Sequence, residues 1–303
     1  MDRLFHGFQE THKMPERSAM RALWRRLRSY YKSRRLFRER LRRPWAALAY
    51  PVLGGIGRVT PVHIRFRSGR SLDLPAQQWP LLPVLCRLDG IGAETEVLAD
   101  AKRVRLQGLE LYSPLWTRNE ADYYREVFLE DIYRVGACSR ERAVVVDVGA
   151  YVGDSAIAFA RAGAQVHAVE PADVFCRFIA RNARANSLED RIVLHAVGLG
   201  ERSATIHEAN LTLHLVEGVA YTLARLPQQV DVLKLDCEGA EYHLLADRRF
   251  LAHLQPREIC MEYHRGPERV VTALETAGYR VTPGERHGQV GLLRASLGDA
   301  EHG

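Results

Sequence analysis

One stretch limits the possible folds more than any other: Val144-Val145-Val146-Asp147-Val148-Gly149-Ala150-Tyr151-Val152-Gly153-Asp154-Ser155. A β-branched run of strand length breaks into a glycine-bearing turn and then meets an acid-led segment with helical spacing. The alternation repeats to about residue 277. Strands are expected at Ala143–Val148, Gln165–Val169, Ile192–Ala196, Val230–Leu235 and Ile259–Glu262, with helices near 154–162, 172–186, 239–247 and 267–277. Strands and helices alternating at this spacing imply a parallel sheet covered on both faces. Tyr279–Thr282 and Gln289–Arg294, joined by Pro283–Gly288, leave no room for a crossover helix and read as an antiparallel hairpin. The fold class is therefore α/β, a Rossmann-like, mostly parallel sheet closed by a C-terminal hairpin, with a helical and β extension before it.

That extension carries the charge. The chain of 303 residues has a net charge of +6, yet residues 1–43 hold 14 of its 43 Lys and Arg and only four of its 37 Asp and Glu. The remainder is net negative, so the basic character belongs to one end. Within 17–43, Met20, Leu23, Leu27, Tyr30, Phe37 and Leu41 recur at three- and four-residue steps among arginines, the pattern of a basic amphipathic helix. With Trp24, Tyr30, Tyr31 and Phe37 beside so many arginines, it suits an anionic membrane surface; equally, its apolar stripe suits packing on protein. A nucleic-acid partner is not expected, since basic and aromatic residues form no recognition motif. Pro51, Gly54, Gly55 and Gly57 read as a linker, and His63–Arg67 with Ser71–Leu74 as a hairpin. A strand is expected at Val104–Leu111 and a helix from Glu120 to about Tyr133. The expected division is 1–57 (helix and linker), 58–140 (accessory or substrate-side region) and 141–298 (the sheet domain).

No cleavable signal peptide is expected, and the longest apolar run, Trp45–Ile56, falls short of the ~20 residues a spanning helix needs. Five cysteines without a CxxC pair suit reduced thiols and a cytoplasmic location.

In an open α/β sheet a ligand lies outside the carboxyl ends of the strands, which places the 147–154 turn at a binding site. Gly149 and Gly153 would let backbone approach a ligand, and the helix start behind Ala150, Tyr151 and Gly153 favours a carboxylate such as that of S-adenosylmethionine (SAM). Asp147 would receive its ammonium; Asp154 would touch the same group or cap the helix. Glu170, followed by Pro171, ends the second strand, where a carboxylate accepts from ribose hydroxyls. That placement serves NAD as well as SAM. The turn lacks the G-x-G-x-x-G spacing that a diphosphate requires, which makes an NAD-dependent oxidoreductase the weaker reading.

The fourth strand ends in Lys234-Leu235-Asp236-Cys237-Glu238-Gly239-Ala240-Glu241 and the fifth in Glu262-Tyr263-His264. Lys234, one of four lysines, needs an acidic partner if buried, and Asp236 lies two positions away on the same face. If the two strands are neighbours, Asp236 and His264 face one cavity, with His264 or Asp236 as general base and Glu238 beside them. Asp236, Glu238 and His264 offer donors for a divalent cation without a ligand motif, so no metal is expected. Acids at 238 and 241 also suit the first turn of a helix.

With these residues the chain resembles the FkbM-type SAM-dependent methyltransferase family over about residues 143–265. The likeness rests on the Asp147–Asp154 turn, Glu170-Pro171, Asn182 and Asn186, the Lys234-x-Asp236-x-Glu238-Gly239-x-Glu241 stretch, and Glu262-Tyr263-His264. One departure is Tyr151, where the family commonly has Asn. The resemblance implies SAM as cofactor and methylation of a hydroxyl on a sugar, glycan or natural product. The rival from another class is a non-catalytic module that docks on anionic membrane through its basic helix.

Overall fold

The computed structural model describes residues 31–45, 47, 61–138, 142–208 and 211–297. The chain divides into two compact units, Met1–Val97 and Leu98–Gly303. The first half of the expected basic helix and the expected linker lie outside the described residues.

In the first unit residues 31–40 are helical, with Phe37 and Leu41 buried. Strands β1 (Val62–Arg65) and β2 (Ser71–Leu74) form the expected antiparallel hairpin. A 3₁₀ turn (Ala76–Leu81), helix α1 (Leu82–Gly90) and strand β3 (Glu94–Val97) follow. The core gathers Ile64, Phe66, Leu74, Leu82, Leu85 and Leu88.

The second unit opens with an antiparallel pair, β4 (Ala101–Leu106) and β5 (Leu109–Pro114), where a single strand was expected at 104–111. Gln107 and Gly108 both take positive φ (50° and 78°), the backbone of a two-residue hairpin turn whose twist matches its strands. Helix α2 (Glu120–Phe128) stops short of the expected Tyr133. The main sheet and its helices then run in order: β6 (Val144–Val148), α3 (Asp154–Arg161), β7 (Gln165–Val169), α4 (Asp173–Ala185) and β8 (Ile192–His195). A small sheet of β9 (Gly198–Gly200), β10 (Ala204–Glu208) and β11 (Leu211–Glu217) intervenes, followed by α5 (Gly218–Arg225). The chain closes with β12 (Val232–Leu235), α6 (Glu241–Ala246), α7 (Arg248–Leu254), β13 (Glu258–Tyr263), α8 (Glu268–Thr276), β14 (Tyr279–His287) and β15 (Val290–Leu297).

The seven strands lie in the order β14-β15-β13-β12-β6-β7-β8. β13, β12, β6, β7 and β8 are parallel, and the β14–β15 hairpin adds antiparallel to β13, as expected. Alternation along each strand sorts its side chains between two cores. Val146, Val148, Leu233, Leu235, Ile259 and Met261 face α5 through α8, whereas Val145, Val166, Ala168, Val232 and Cys260 face α2 and α3. Val127 of α2 and Tyr133 belong to that second core, which ties the segment before residue 140 to the sheet.

Candidate functional site

The turn after β6 is shaped by its glycines and by the end of β12. Gly149 and Gly153 have φ of 83° and 87°, and Tyr151 is also left-handed at 50°. A Cβ on Gly149 would stand 1.7 Å from the Asp236 carbonyl oxygen, and one on Gly153 would press on Ile179 at 3.2 Å. Backbone crowding and positive φ thus require both glycines. The Gly149 and Ala150 N–H groups donate to the Val169 carbonyl, and the Gly153 N–H to that of Ala150. At Tyr151 the family's Asn would enter the left-handed region more easily. Here the ring is held instead by Phe175, 4.5 Å away, and Tyr123, 5.5 Å away, both edge-on.

Asp147 is fully buried. Its Oδ2 accepts from Ser155 Oγ at 2.6 Å, and its Oδ1 lies 3.0 Å from Lys234 Nζ, which also donates to the Gly149 carbonyl at 2.8 Å. Lys234 was expected to pair with Asp236 along its own strand. It pairs instead with Asp147, its register partner across the β12–β6 ladder. Burial works against the Lys234 ammonium, but the Asp147 and Asp236 charges outweigh it and hold its pKa above the ordinary range. The Oδ1 contact is not aligned as a hydrogen bond, so that buried oxygen keeps acceptor capacity. Asp154 opens α3 without an ion-pair partner among the described residues; burial lifts its pKa to about 6. Glu170 accepts from the Tyr151 and Ala172 N–H groups, both at 2.9 Å, and burial lifts its pKa to about 7. Pro171 extends the rim, its carbonyl accepting from the His214 N–H.

The residues expected on the acceptor side gather at the ends of β12 and β13, which pair in parallel as expected. His264 is fixed by Glu241, a fully buried carboxylate that takes the His264 N–H and ring Nδ1, both at 3.1 Å, and the Gly239 N–H at 2.8 Å. Its Nε2 looks toward Asp236 Oδ1 at 3.8 Å and Glu238 Oε2 at 3.6 Å. The Glu241 hydrogen bond raises the His264 pKa to about 9 against the opposing effect of burial. At neutral pH the ring is protonated, so the ordinary-pKa argument for His264 as general base does not carry over. Asp236 accepts from the Tyr133 hydroxyl at 3.4 Å. Glu238 sits at φ 55° with its side chain 90% exposed, on the outer rim of this group.

Glu262 completes the cluster: donor atoms of Asp236, Glu262 and His264 lie within 4.8 Å of one another. Those three, with Glu262 in place of Glu238, are where a divalent cation would be held. Burial and the neighbouring Asp236 raise the Glu262 pKa; burial and Glu262 raise that of Glu126 to about 7. Sequence reasoning missed Glu262 and Glu241 as site members. Glu262 was within reach, because positions 262 and 264 share one face of a strand.

Trp116, Phe175, Tyr151 and Tyr123 form a chain of ring contacts along the rim, with Trp116 5.8 Å from Phe175. The Tyr123 hydroxyl feels the charges of Asp236, Asp154 and Glu238, which places it at the same opening. Behind the chain, Lys102 and Glu120 make a fully buried ion pair at 2.6 Å, joined by Thr117. Asn182 and Asn186 on α4 hold β5: Asn182 accepts from the Tyr112 N–H and donates to the Tyr112 and Val152 carbonyls, and Asn186 pairs with Glu110 in the same way.

Residues 147–281 match the family described as the methyltransferase FkbM domain. No curated protein matches the chain. Similar solved structures include a SAM-dependent methyltransferase from Agrobacterium tumefaciens at 14% identity, covering 67% of this chain and 72% of that one with a TM-score of 0.45. The ribosomal protein L11 methylase from Lactobacillus delbrueckii subsp. bulgaricus is 18% identical, covering 54% and 74% with a TM-score of 0.40. Magnesium protoporphyrin IX methyltransferase from Synechocystis PCC 6803 is 12% identical, covering 59% and 82% with a TM-score of 0.42.

Proposed function

The chain carries a methyltransferase FkbM domain at residues 147–281, and from that premise we propose that it transfers the methyl group of SAM to a hydroxyl oxygen of a sugar, glycan or other ring-bearing acceptor. The observation that carries the reading is the meeting of two differently equipped strand ends: Asp147, Asp154 and Glu170 around the first turn, and Asp236, Glu262 and His264 beside it. The residues of the turn fit the cofactor. Asp154 and the spare lone pair of Asp147 Oδ1 suit an ammonium, the α3 start suits its carboxylate, and Glu170 retains lone pairs for ribose hydroxyls.

When bound, SAM supplies an electrophilic methyl on sulfur. The protein's task is then to aim an oxygen at that carbon and to take its proton. Asp236 is the proton acceptor, held by Tyr133 and facing the acceptor opening, while His264, as an imidazolium locked by Glu241, steadies the Asp236 and Glu238 charges. With SAM bound, the Asp236 carboxylate would take the hydroxyl proton as the acceptor oxygen receives the methyl that SAM would supply, SAM leaving as the neutral thioether. The exposed faces of Tyr123 and Trp116 give a ring-shaped acceptor a surface on which to lie.

Calorimetry with SAM, followed by transfer of labelled methyl into sugar-bearing and phenolic acceptors, tests the proposal. Binding of SAM with label appearing as an alkali-stable methyl ether is expected. No SAM binding, or label on carbon or nitrogen, would overturn it.

A further inference from the structure

The helix at 31–40 has two faces, and the structure shows what each does. Its inward face is occupied within its own unit: Phe37 and Leu41 are 3% and 2% exposed, and Leu41 bridges Phe66. The backbone is tied down as well, with the Arg67 N–H donating to the Arg40 carbonyl at 2.7 Å and the Arg42 N–H to that of Arg65 at 3.0 Å. The described part of the apolar stripe is thus committed to protein packing.

The outward face has a different chemistry. Lys32, Arg34, Arg35, Arg38, Arg42 and Arg43 are all exposed, and Glu39, paired with Arg35 at 2.9 Å, is the single acid between residues 31 and 45. Aromatic side chains stand at both ends of this basic strip: Tyr31 is 66% exposed, with the Arg34 guanidinium over its ring at 4.2 Å, and Trp45 is 62% exposed. Water gives an exposed indole or phenol ring no reward, whereas the headgroup layer of a bilayer does, and basic side chains between such rings meet anionic headgroups.

We infer that this face docks reversibly on an anionic lipid bilayer. The six cations lie against the headgroups, and Trp45 and Tyr31 enter the interfacial layer at either end. Cations alone would also suit the phosphates of a duplex; the two exposed aromatic residues decide for lipid, since a duplex exterior offers them no apolar layer. The inference is independent of the methyl-transfer reading, because all its residues lie in Met1–Val97.

Sedimentation of the full chain with phosphatidylcholine vesicles, with and without phosphatidylserine, tests it. Binding only to the serine-containing vesicles, weakened by salt, is expected. Replacing Arg34, Arg35, Arg38 and Arg42 together by Gln should lower the affinity by about several hundredfold, at roughly fivefold for each cation near a charged surface. Trp45→Ala, which removes no charge, should lower it by about threefold at fixed salt. These side chains point outward, and circular dichroism of each variant checks that the fold is kept. Equal binding to both vesicle types, undiminished binding of the quadruple variant, or tighter binding to a duplex oligonucleotide with Trp45→Ala neutral would each overturn the inference.

Discussion

The turn after β6 and the edge formed by β12 and β13 use the same residue types, acids beside one basic group, in opposite ways. At the turn the acids are buried and held by the protein itself: Lys234 neutralises Asp147, and one backbone N–H steadies each Glu170 oxygen while leaving it further acceptor capacity. At the edge Glu241 is spent on His264, and Asp236, Glu238 and Glu262 are left around one imidazole. A buried group held by the protein's own partners keeps its geometry whatever is bound, which suits a constant cofactor. An under-neutralised, half-open group is completed by what enters it, which suits a hydroxyl that must lose a proton. The difference fits the proposed division into a framework half and a chemical half, and four changes probe it.

The largest effect is expected at the edge. Asp236→Asn should lower kcat by about a hundred- to ten-thousandfold in a labelled-methyl assay while leaving the calorimetric affinity for SAM nearly unchanged. A matching loss of SAM affinity would mean that the two halves do not divide the work as described.

At the turn, Asp147→Ala strands the buried Lys234 ammonium and should cost about 3–5 kcal/mol in urea unfolding, with SAM binding lost alongside. A variant as stable as the parent would show that the pair does not hold the framework.

Acidity separates the halves next. The folded pKa of His264 is raised to about 9, so its pairing with Glu241 contributes fully below about pH 6.5 and is lost as pH rises through about 9, a difference of roughly 2–3 kcal/mol. The charged groups around the ring are Glu241, Glu238, Asp236 and Glu262. Both stability and kcat should fall across that alkaline limb. A kcat that climbs through pH 9 would make neutral His264 the base in place of Asp236.

The smallest effect is expected at a distance. Asn182→Ala removes three buried hydrogen bonds between α4, β5 and the cofactor turn, and should cost about 2 kcal/mol by urea midpoint with a modest rise in KM for SAM. An unchanged midpoint would show that β5 is held by its other contacts.

Much of this architecture was legible because apolar period and turn chemistry are local. The five parallel strands, the closing hairpin and the neighbouring ends carrying Asp236 and His264 all followed from short runs and the helices between them. Pairings set by register were not legible. Nothing near Lys234 announces that Asp147, 87 positions earlier, is its ladder partner, so the nearer Asp236 looked the better choice. The β9–β11 sheet was within reach and was missed: Ala204-Thr205-Ile206-His207 and Leu211-Thr212-Leu213-His214-Leu215 alternate apolar and polar residues as an exposed antiparallel pair does. Glu241 looked like an ordinary helix-start acid, and only the folded proximity of His264 reveals it as the ring's anchor. Asn182 and Asn186 stood out by rarity, but their task, gripping the backbone of β5, depends on a hairpin that sequence reading had merged into one strand.

The space beside Gly149 couples two parts of the site through their main chains. Because the Asp236 carbonyl occupies the place of the missing Cβ, the cofactor turn and the acceptor strand share a seam with no slack. Any change at the β12 end must therefore preserve the path of its main chain, whereas its side chains are free to vary. The seam is thus strict about backbone shape and permissive about the side chains that stand on it.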